Sequence, residues 1–189
     1  MTAGPRERLV MSAIELVRRK GVAGTGLTEL LEHSGAARRS IYQHFPHGKA
    51  ELIEVSTRTA GEFMTARLAA LVDGRPTADA MRAFVEQWKG VIAGSGYESG
   101  CPVVGAALGR SEAPGAADEA GTAIADWERV LTASLRRDGA DDAIAESLAT
   151  LAISSIEGAV MLSLAGQSTD PLDRVSGHLV ELIERHTGT

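Results

Sequence analysis

The sequence predicts an all-α protein of about nine helices and no sheet. Apolar residues recur every three or four positions along almost the whole chain, and glycine- and proline-rich breaks cut that pattern into segments of helical length. No segment alternates apolar and polar residues between turn signals as a half-buried strand would.

The elements follow in order. Val10, Ala13, Ile14 and Val17 stand at i, i+3, i+4 and i+7, giving an amphipathic helix over 5–20, with Pro5 in the tolerant first turn and Gly21 just past the end. Arg18, Arg19 and Lys20 fall in its last turn, where the helix dipole favours cations. A second, short helix has Leu27, Leu30 and Leu31 as its inner face and stops at Gly35. A third covers 37–44 with Ile41 and Phe45 inward, and Pro46 and Gly48 then turn the chain into a long helix over 49–72. After the break Asp73-Gly74-Arg75-Pro76, Thr77 caps a helix to about residue 93, with Met81, Phe84, Val85, Trp88 and Ile92 on one stripe. Residues 94–100 form a loop, Cys101-Pro102 opens a short helix to about 110, and Glu112-Ala113-Pro114-Gly115 interrupts again. Three more helices cover about 117–137, 141–165 and 170–186.

At 189 residues, 44% hydrophobic and 23% charged, the chain can bury a sizeable core and is not disordered. No unbroken run of 18 apolar residues marks a membrane span, and the first twenty residues lack the apolar core of a secretory signal. The single cysteine, Cys101, excludes an internal disulfide and a cysteine-rich zinc site, and a cytoplasmic location is the default expectation. The net charge of −6 hides an asymmetry: residues 1–60 carry +3 and residues 61–189 carry −9. This is the pattern of a basic module on an acidic body.

The second and third helices, joined by Ser34-Gly35-Ala36-Ala37, have the lengths and the turn of a helix-turn-helix. With Ile41 and Phe45 anchoring it, the third presents Arg38, Arg39, Tyr42 and Gln43 outward. Arginine can pair with guanine edges and glutamine with adenine, while hydroxyls and cations hold phosphates. Lys49 can add a cation at the start of the next helix.

The run Gly24-Thr25-Gly26-Leu27-Thr28-Glu29-Leu30-Leu31-Glu32-His33-Ser34-Gly35, followed by Ser40-Ile41-Tyr42-Gln43-His44-Phe45-Pro46-His47-Gly48-Lys49-Ala50-Glu51-Leu52, resembles the DNA-binding domain of the TetR family. The match carries one extra residue, Gly48, before the lysine. Thr25-Gly26-Leu27 before helix two and Phe45-Pro46-His47-Gly48-Lys49 after helix three are similar to the LmrA/YxaF-type subgroup, as are Gly100-Cys101-Pro102-Val103 and Ile156-Glu157-Gly158-Ala159. The resemblance implies a helix-turn-helix DNA-binding domain over 1–48 and a ligand-binding and dimerisation domain over 49–189. It further implies a one-component regulator, commonly a repressor, that binds a palindromic duplex operator, dimerises through its last two helices and responds to a small-molecule effector.

Residue by residue, the resemblance places Tyr42, His44 and Lys49 on phosphates and Arg38 and Ser40 at the groove, with Thr28, Arg39 and Gln43 completing the DNA-contacting set. Three positions depart from the family pattern. Arg39 replaces the usual glycine, Ala37 the usual serine or proline, and Gly26 a capping threonine. Arg39 can therefore add a base or phosphate contact, and Gly26 removes one hydroxyl.

The family also implies a largely apolar effector cavity, for which Met64, Phe84, Trp88, Cys101, Trp127, Leu131, Glu157 and Met161 are the candidate wall residues. Either Trp can equally be plain core. Cys101 reads as a small buried hydrophobe rather than a redox sensor. Glu157 lies in an apolar run and needs a partner, which is either a structural hydrogen bond or a cationic ligand. Small residues (Ala149, Ala152, Ser155, Gly158, Ala159) and large ones (Leu148, Leu151, Leu162, Leu179, Leu182, Ile183) suit a subunit seam or an internal core.

The chain carries no convincing enzyme signature. There is no nucleophile elbow, Gly94-x-Gly96-x-x-Ser99 misses the dinucleotide fingerprint, and Gly48-Lys49 lacks the glycine of a phosphate loop. His44, His47 and Glu51 straddle a turn and make a poor metal set, so neither metal nor cofactor is expected. The rival reading is a helical small-molecule-binding or scaffold protein with no DNA function.

Overall fold

A computed structural model describes residues 4–188. Among them are nine α-helices and no strand: α1 (Pro5–Gly24), α2 (Leu27–Ser34), α3 (Arg38–His44), α4 (Lys49–Val72), α5 (Thr77–Gly94), α6 (Pro102–Ala107), α7 (Pro114–Arg137), α8 (Asp142–Gly166) and α9 (Asp170–Thr187). They pack as two compact units. One holds the residues up to Phe63 together with Cys101–Ala123, and the other holds Met64–Gly100 together with the residues from Ile124 onward.

In the first unit, Leu9, Val10, Ala13 and Leu16 of α1 bury one stripe against Leu30, Ile41, Phe45 and Leu52. Gly35 ends α2 in the left-handed conformation (φ 60°), which lets α3 follow after two residues. Arg8 Nε donates to the Ser34 carbonyl (3.0 Å), so a cation from α1 caps the C-terminal end of α2. Neither Gly26 nor Ala37, the N-cap residues of α2 and α3, supplies a side-chain cap.

Gly21 does not end α1 but kinks it (φ 68°, ψ −179°), and one further turn runs to Gly24. The carbonyl of Val22 in that turn accepts from Lys49 Nζ at 3.1 Å. The short α6 and the turn after it lie tightly on α1: a Cβ on Gly105 would come within 2.9 Å of the Val17 carbonyl oxygen, and one on Gly109, just past α6, within 2.4 Å of Val22 Cγ2. Elsewhere in this unit a Cβ on Gly61 of α4 would meet the Ala123 Cβ of α7 at 2.6 Å.

The second unit is built on α5, α8 and α9 with the C-terminal parts of α4 and α7. Two neighbouring residues at the end of α7 fix the α4–α5 turn. Arg137 donates to the carbonyls of Val72 (2.8 Å) and Arg75 (2.7 Å), closing the C-terminal end of α4. Asp138 Oδ2 accepts from the Thr77 amide and hydroxyl, both at 2.6 Å, at the N-terminus of α5. Thr77 is thus the first helical residue rather than the expected cap, and the acceptor comes from the end of another helix. Burial would raise the Asp138 pKa, but hydrogen bonds from Thr77 and Arg137 outweigh it and hold the carboxyl below its ordinary 3.8.

Pro114 also differs from its expected place in an interruption: it opens α7, because a first-turn proline needs no amide partner. Although no unbroken apolar run of 18 residues exists, α8 averages a hydropathy of 1.7 over its best window with only 39% of that window buried. By length and composition alone this one helix could cross a membrane.

Asp138→Ala is expected to cost about 1–2 kcal/mol by leaving the α5 start uncapped, a fall in Tm of about 2–8 °C. Because the folded pKa is depressed, the contribution is full above the ordinary carboxylate value and disappears as pH falls through the folded one. Thermal melts of variant and wild type should therefore begin to approach each other only below the ordinary carboxylate value and converge once pH has fallen through the folded one. Gly109→Ala is expected to cost about 1–3 kcal/mol through overpacking. Gly90→Ala, facing open space on α5, should be neutral or stabilising by up to about 1 kcal/mol in urea titrations.

Candidate functional site

A helix of seven residues has little stability of its own, so α3 depends on what lies beneath it. Ile41 and Phe45, one turn apart, are fully buried in the first unit. That fixes the opposite face: Arg38, Arg39, Gln43 and His44 are exposed and Tyr42 is 52% exposed. Thr28 of α2 is exposed, and Ser40 is half-buried. Arg6, at the start of α1, stacks over the Phe45 ring with its guanidinium carbon 5.5 Å from the centroid.

The charge state of this face is its main feature. Over most of the surface, arginines are compensated: Arg58 pairs with Glu119, Arg82 with Asp79 and Glu184, and Arg136 with Asp142 and Glu146. Among the described residues Arg38 and Arg39 have neither an ion pair nor a side-chain hydrogen bond, and α3 contains no acid. Two arginines, a glutamine amide and a phenol thus stand on one short helix with no internal partner for their positive charge.

Lys49 is half-buried and spends one ammonium proton on the Val22 carbonyl. That bond ties the α4 start to the kinked end of α1 and leaves two donors. The extra residue Gly48 is buried in the left-handed region (φ 75°); its amide bonds the Phe45 carbonyl (2.8 Å), its carbonyl accepts from Leu52 (3.1 Å), and its α-carbon faces the Tyr42 ring. It serves as the cap position of α4, and Glu51 reaches back to the His47 amide at 2.8 Å.

The second unit holds a small cavity walled by Met64 and Leu68 of α4, Met81 and Phe84 of α5, Trp127 and Leu131 of α7, and Ile153, Ile156 and Glu157 of α8. It leaves about 20 Å³ for the centres of water-sized molecules, room for about one water. Among the wall residues only Glu157 and Trp127 carry strongly polar side-chain groups. Trp127 Nε1 is buried without a hydrogen-bond acceptor.

Five of the residues expected from sequence, Met64, Phe84, Trp127, Leu131 and Glu157, come together here. Three do not. Trp88 is buried edge-on to Phe84 (centroids 6.5 Å apart) but is not on the wall. Cys101 is buried in the first unit, and Met161 is 63% exposed. Leu68, Met81, Ile153 and Ile156 also line the cavity, although none of them is among the wall residues expected from sequence. Their spacing from Met64, Phe84 and Glu157, mostly three or four residues, is the signal that could have found them.

Comparison with known proteins assigns these features to a family. Residues 9–55 match the family model of bacterial regulatory proteins of the tetR family, and residues 77–178 match that of the C-terminal domain of LmrA/YxaF-like transcriptional regulators. A Mycobacterium tuberculosis (strain ATCC 25618 / H37Rv) protein named only as an uncharacterised HTH-type transcriptional regulator is 31% identical over 188 residues, covering 95% of this chain and 94% of its own. The HTH-type transcriptional regulator LmrA of Bacillus subtilis (strain 168) is 27% identical over 182 residues, covering 95% and 97%.

Solved structures agree in fold. A regulatory protein TetR from Rhodobacter sphaeroides matches with a TM-score of 0.82 at 20% identity, over 93% of this chain and 96% of that one. A TetR-type regulator from Streptomyces avermitilis matches with 0.77 at 28% identity, over 97% and 98%. With both halves of the chain matched and a relative above 30% identity along nearly its whole length, the chain belongs to the TetR family of DNA-binding transcriptional regulators, with an LmrA/YxaF-like C-terminal domain.

Proposed function

We propose that the protein is a cytoplasmic repressor that binds a palindromic operator as a homodimer and leaves it on taking up a small, largely apolar effector. The observation that carries this reading is the unpaired Arg38/Arg39 face of α3, held rigid from below by Ile41 and Phe45. In the major groove Arg38, Arg39 and Gln43 read base edges, while Thr28, Ser40, Tyr42, His44 and Lys49 hold the backbone. The working division is a DNA-binding module over 1–48 and an effector and dimer module over 49–189. The family matches over 9–55 and 77–178 support it, although the compact units cut across it.

Dimerisation through α8 and α9 is supported by the apolar residues that α8 leaves uncovered, Leu151 (42% exposed), Met161 (63%) and Leu162 (55%). A second copy covering them is the solution expected of a two-fold helical seam. The cavity receives the effector. Met64 on its wall and Lys49 at the DNA-binding end belong to the same helix, α4. Coupling of about 1–3 kcal/mol along that helix lowers operator affinity about 5- to 150-fold.

Binding is tested with labelled duplexes from the DNA flanking the coding sequence. Tyr42→Ala should weaken binding to every sequence at all salt concentrations, whereas Arg39→Gly should change the preferred sequence across a randomised duplex library more than the salt slope. Unaltered preference would remove Arg39 from base reading. The wild type should sediment at about twice the 19.8 kDa chain mass, and Leu151→Glu/Leu162→Glu should sediment as a single chain, as expected when like charges meet across a two-fold axis.

A further inference from the structure

We propose that Arg6 binds duplex phosphate: its guanidinium, seated over the Phe45 ring where α3 ends, grips the DNA backbone beside the stretch that α3 enters. This rests on the reading of α3 as the groove-facing helix, and adds to it a contact from a different helix, α1.

Helix phase puts Arg6 at that end. It stands three and four residues before Leu9 and Val10, so it continues the core-facing stripe of α1 by one turn. At the edge of a core, a long cationic side chain lays its stem along apolar surface and keeps its head in water. The head meets Phe45, the C-cap residue of α3, with the guanidinium carbon 5.5 Å from the ring centroid. Phe45 is 1% exposed and fixed in the core, so the platform is rigid. Its ring is also edge-on to His44, centroids 6.5 Å apart, and His44 is among the residues proposed to hold the backbone. Arg6, Phe45 and His44 thus form one row at the end of α3.

The charge of Arg6 is also available. Among the described residues it makes no ion pair and no side-chain hydrogen bond, and Glu7, its neighbour in the chain, does not pair with it. Arg8 differs, since its Nε is spent on the Ser34 carbonyl. A ring face attracts a cation without neutralising it. The guanidinium has therefore lost part of its freedom before an anion arrives, yet keeps the planar fork that matches a phosphate. Arg6 shares its uncompensated state with Arg38 and Arg39, so three arginines from two helices offer positive charge around α3.

The test uses the full-length protein and a labelled mixed-sequence duplex of about three helical turns, with fluorescence anisotropy followed as KCl is raised from low concentration. Arg6→Met keeps an unbranched cover for Phe45 without the charge, and Arg6→Lys keeps the charge without the fork. Arg39→Ala is the control for α3. Arg6→Met should bind about tenfold more weakly at low salt. Its slope of log affinity against log salt should be smaller by about 0.9 for each copy bound. Arg6→Lys should keep the wild-type slope with an intermediate affinity.

A wild-type slope and affinity in Arg6→Met overturns the proposal, because the guanidinium then only covers the ring. Weaker binding at an unchanged slope also overturns it, as expected if Arg6 merely holds Phe45 in place, and so does an Arg6→Lys that behaves like Arg6→Met. The underlying reading of α3 fails separately. If the wild type binds no duplex even at low salt, that reading falls and the Arg6 contact with it. If the wild type binds and Arg39→Ala weakens binding while Arg6→Met does not, the reading of α3 stands and the Arg6 contact falls.

Discussion

The burial of Ile41 and Phe45 is the constraint on which the outward arginine face of α3 depends. Seven residues cannot hold a helix in water by backbone hydrogen bonds alone. The helix α3 exists because two side chains one turn apart enter the core formed by Leu9, Val10, Leu16, Leu30 and Leu52. Gly35 supplies the left-handed residue that brings α3 into position. Once that stripe is fixed, the 3.6-residue period decides which side chains face outward, so core packing and the orientation of Arg38, Arg39 and Gln43 are one fact seen from two sides.

Charge is distributed to the same end. The chain is acidic overall, yet its first sixty residues are net positive. Along the helices of both units, cations are mostly matched by acids three or four residues away or on a neighbouring helix, as with Lys89 between Glu86 and Asp173. Such exposed pairs add little stability, but they quench the positive potential around them. Among the described residues the two arginines of α3 are left unquenched, so positive potential persists on that short helix.

Much of this was legible from the residues. Helical periodicity located all nine helices, and the long α4 matched to the residue. The misses have local causes. Thr77 reads as a cap because its hydroxyl fits the role, but Asp138, sixty-one residues away in sequence, takes that place, and no local pattern reveals such a partner. Pro114 reads as a breaker, although a first-turn proline is equally a helix opener. In the cavity, identity misled where phase did not: Trp88 and Met161 attract notice as large or soft side chains, while the aliphatic Leu68, Ile153 and Ile156 look like ordinary core. Met161 lies one turn beyond Glu157 yet is mostly exposed, because α8 has uncovered as well as buried faces.

Gly48 has a consequence for how such proteins can be recombined. The inserted residue is absorbed by a tight left-handed turn that bonds back to Phe45 and lies against the Tyr42 ring, so α3 and the start of α4 hold it jointly. A junction placed between residues 45 and 48 would separate the turn from the ring and carbonyl that shape it. Chimaeras that graft the recognition module of one relative onto the body of another should therefore be spliced downstream of this glycine, so that the donor brings its own turn, whether or not it has the additional residue.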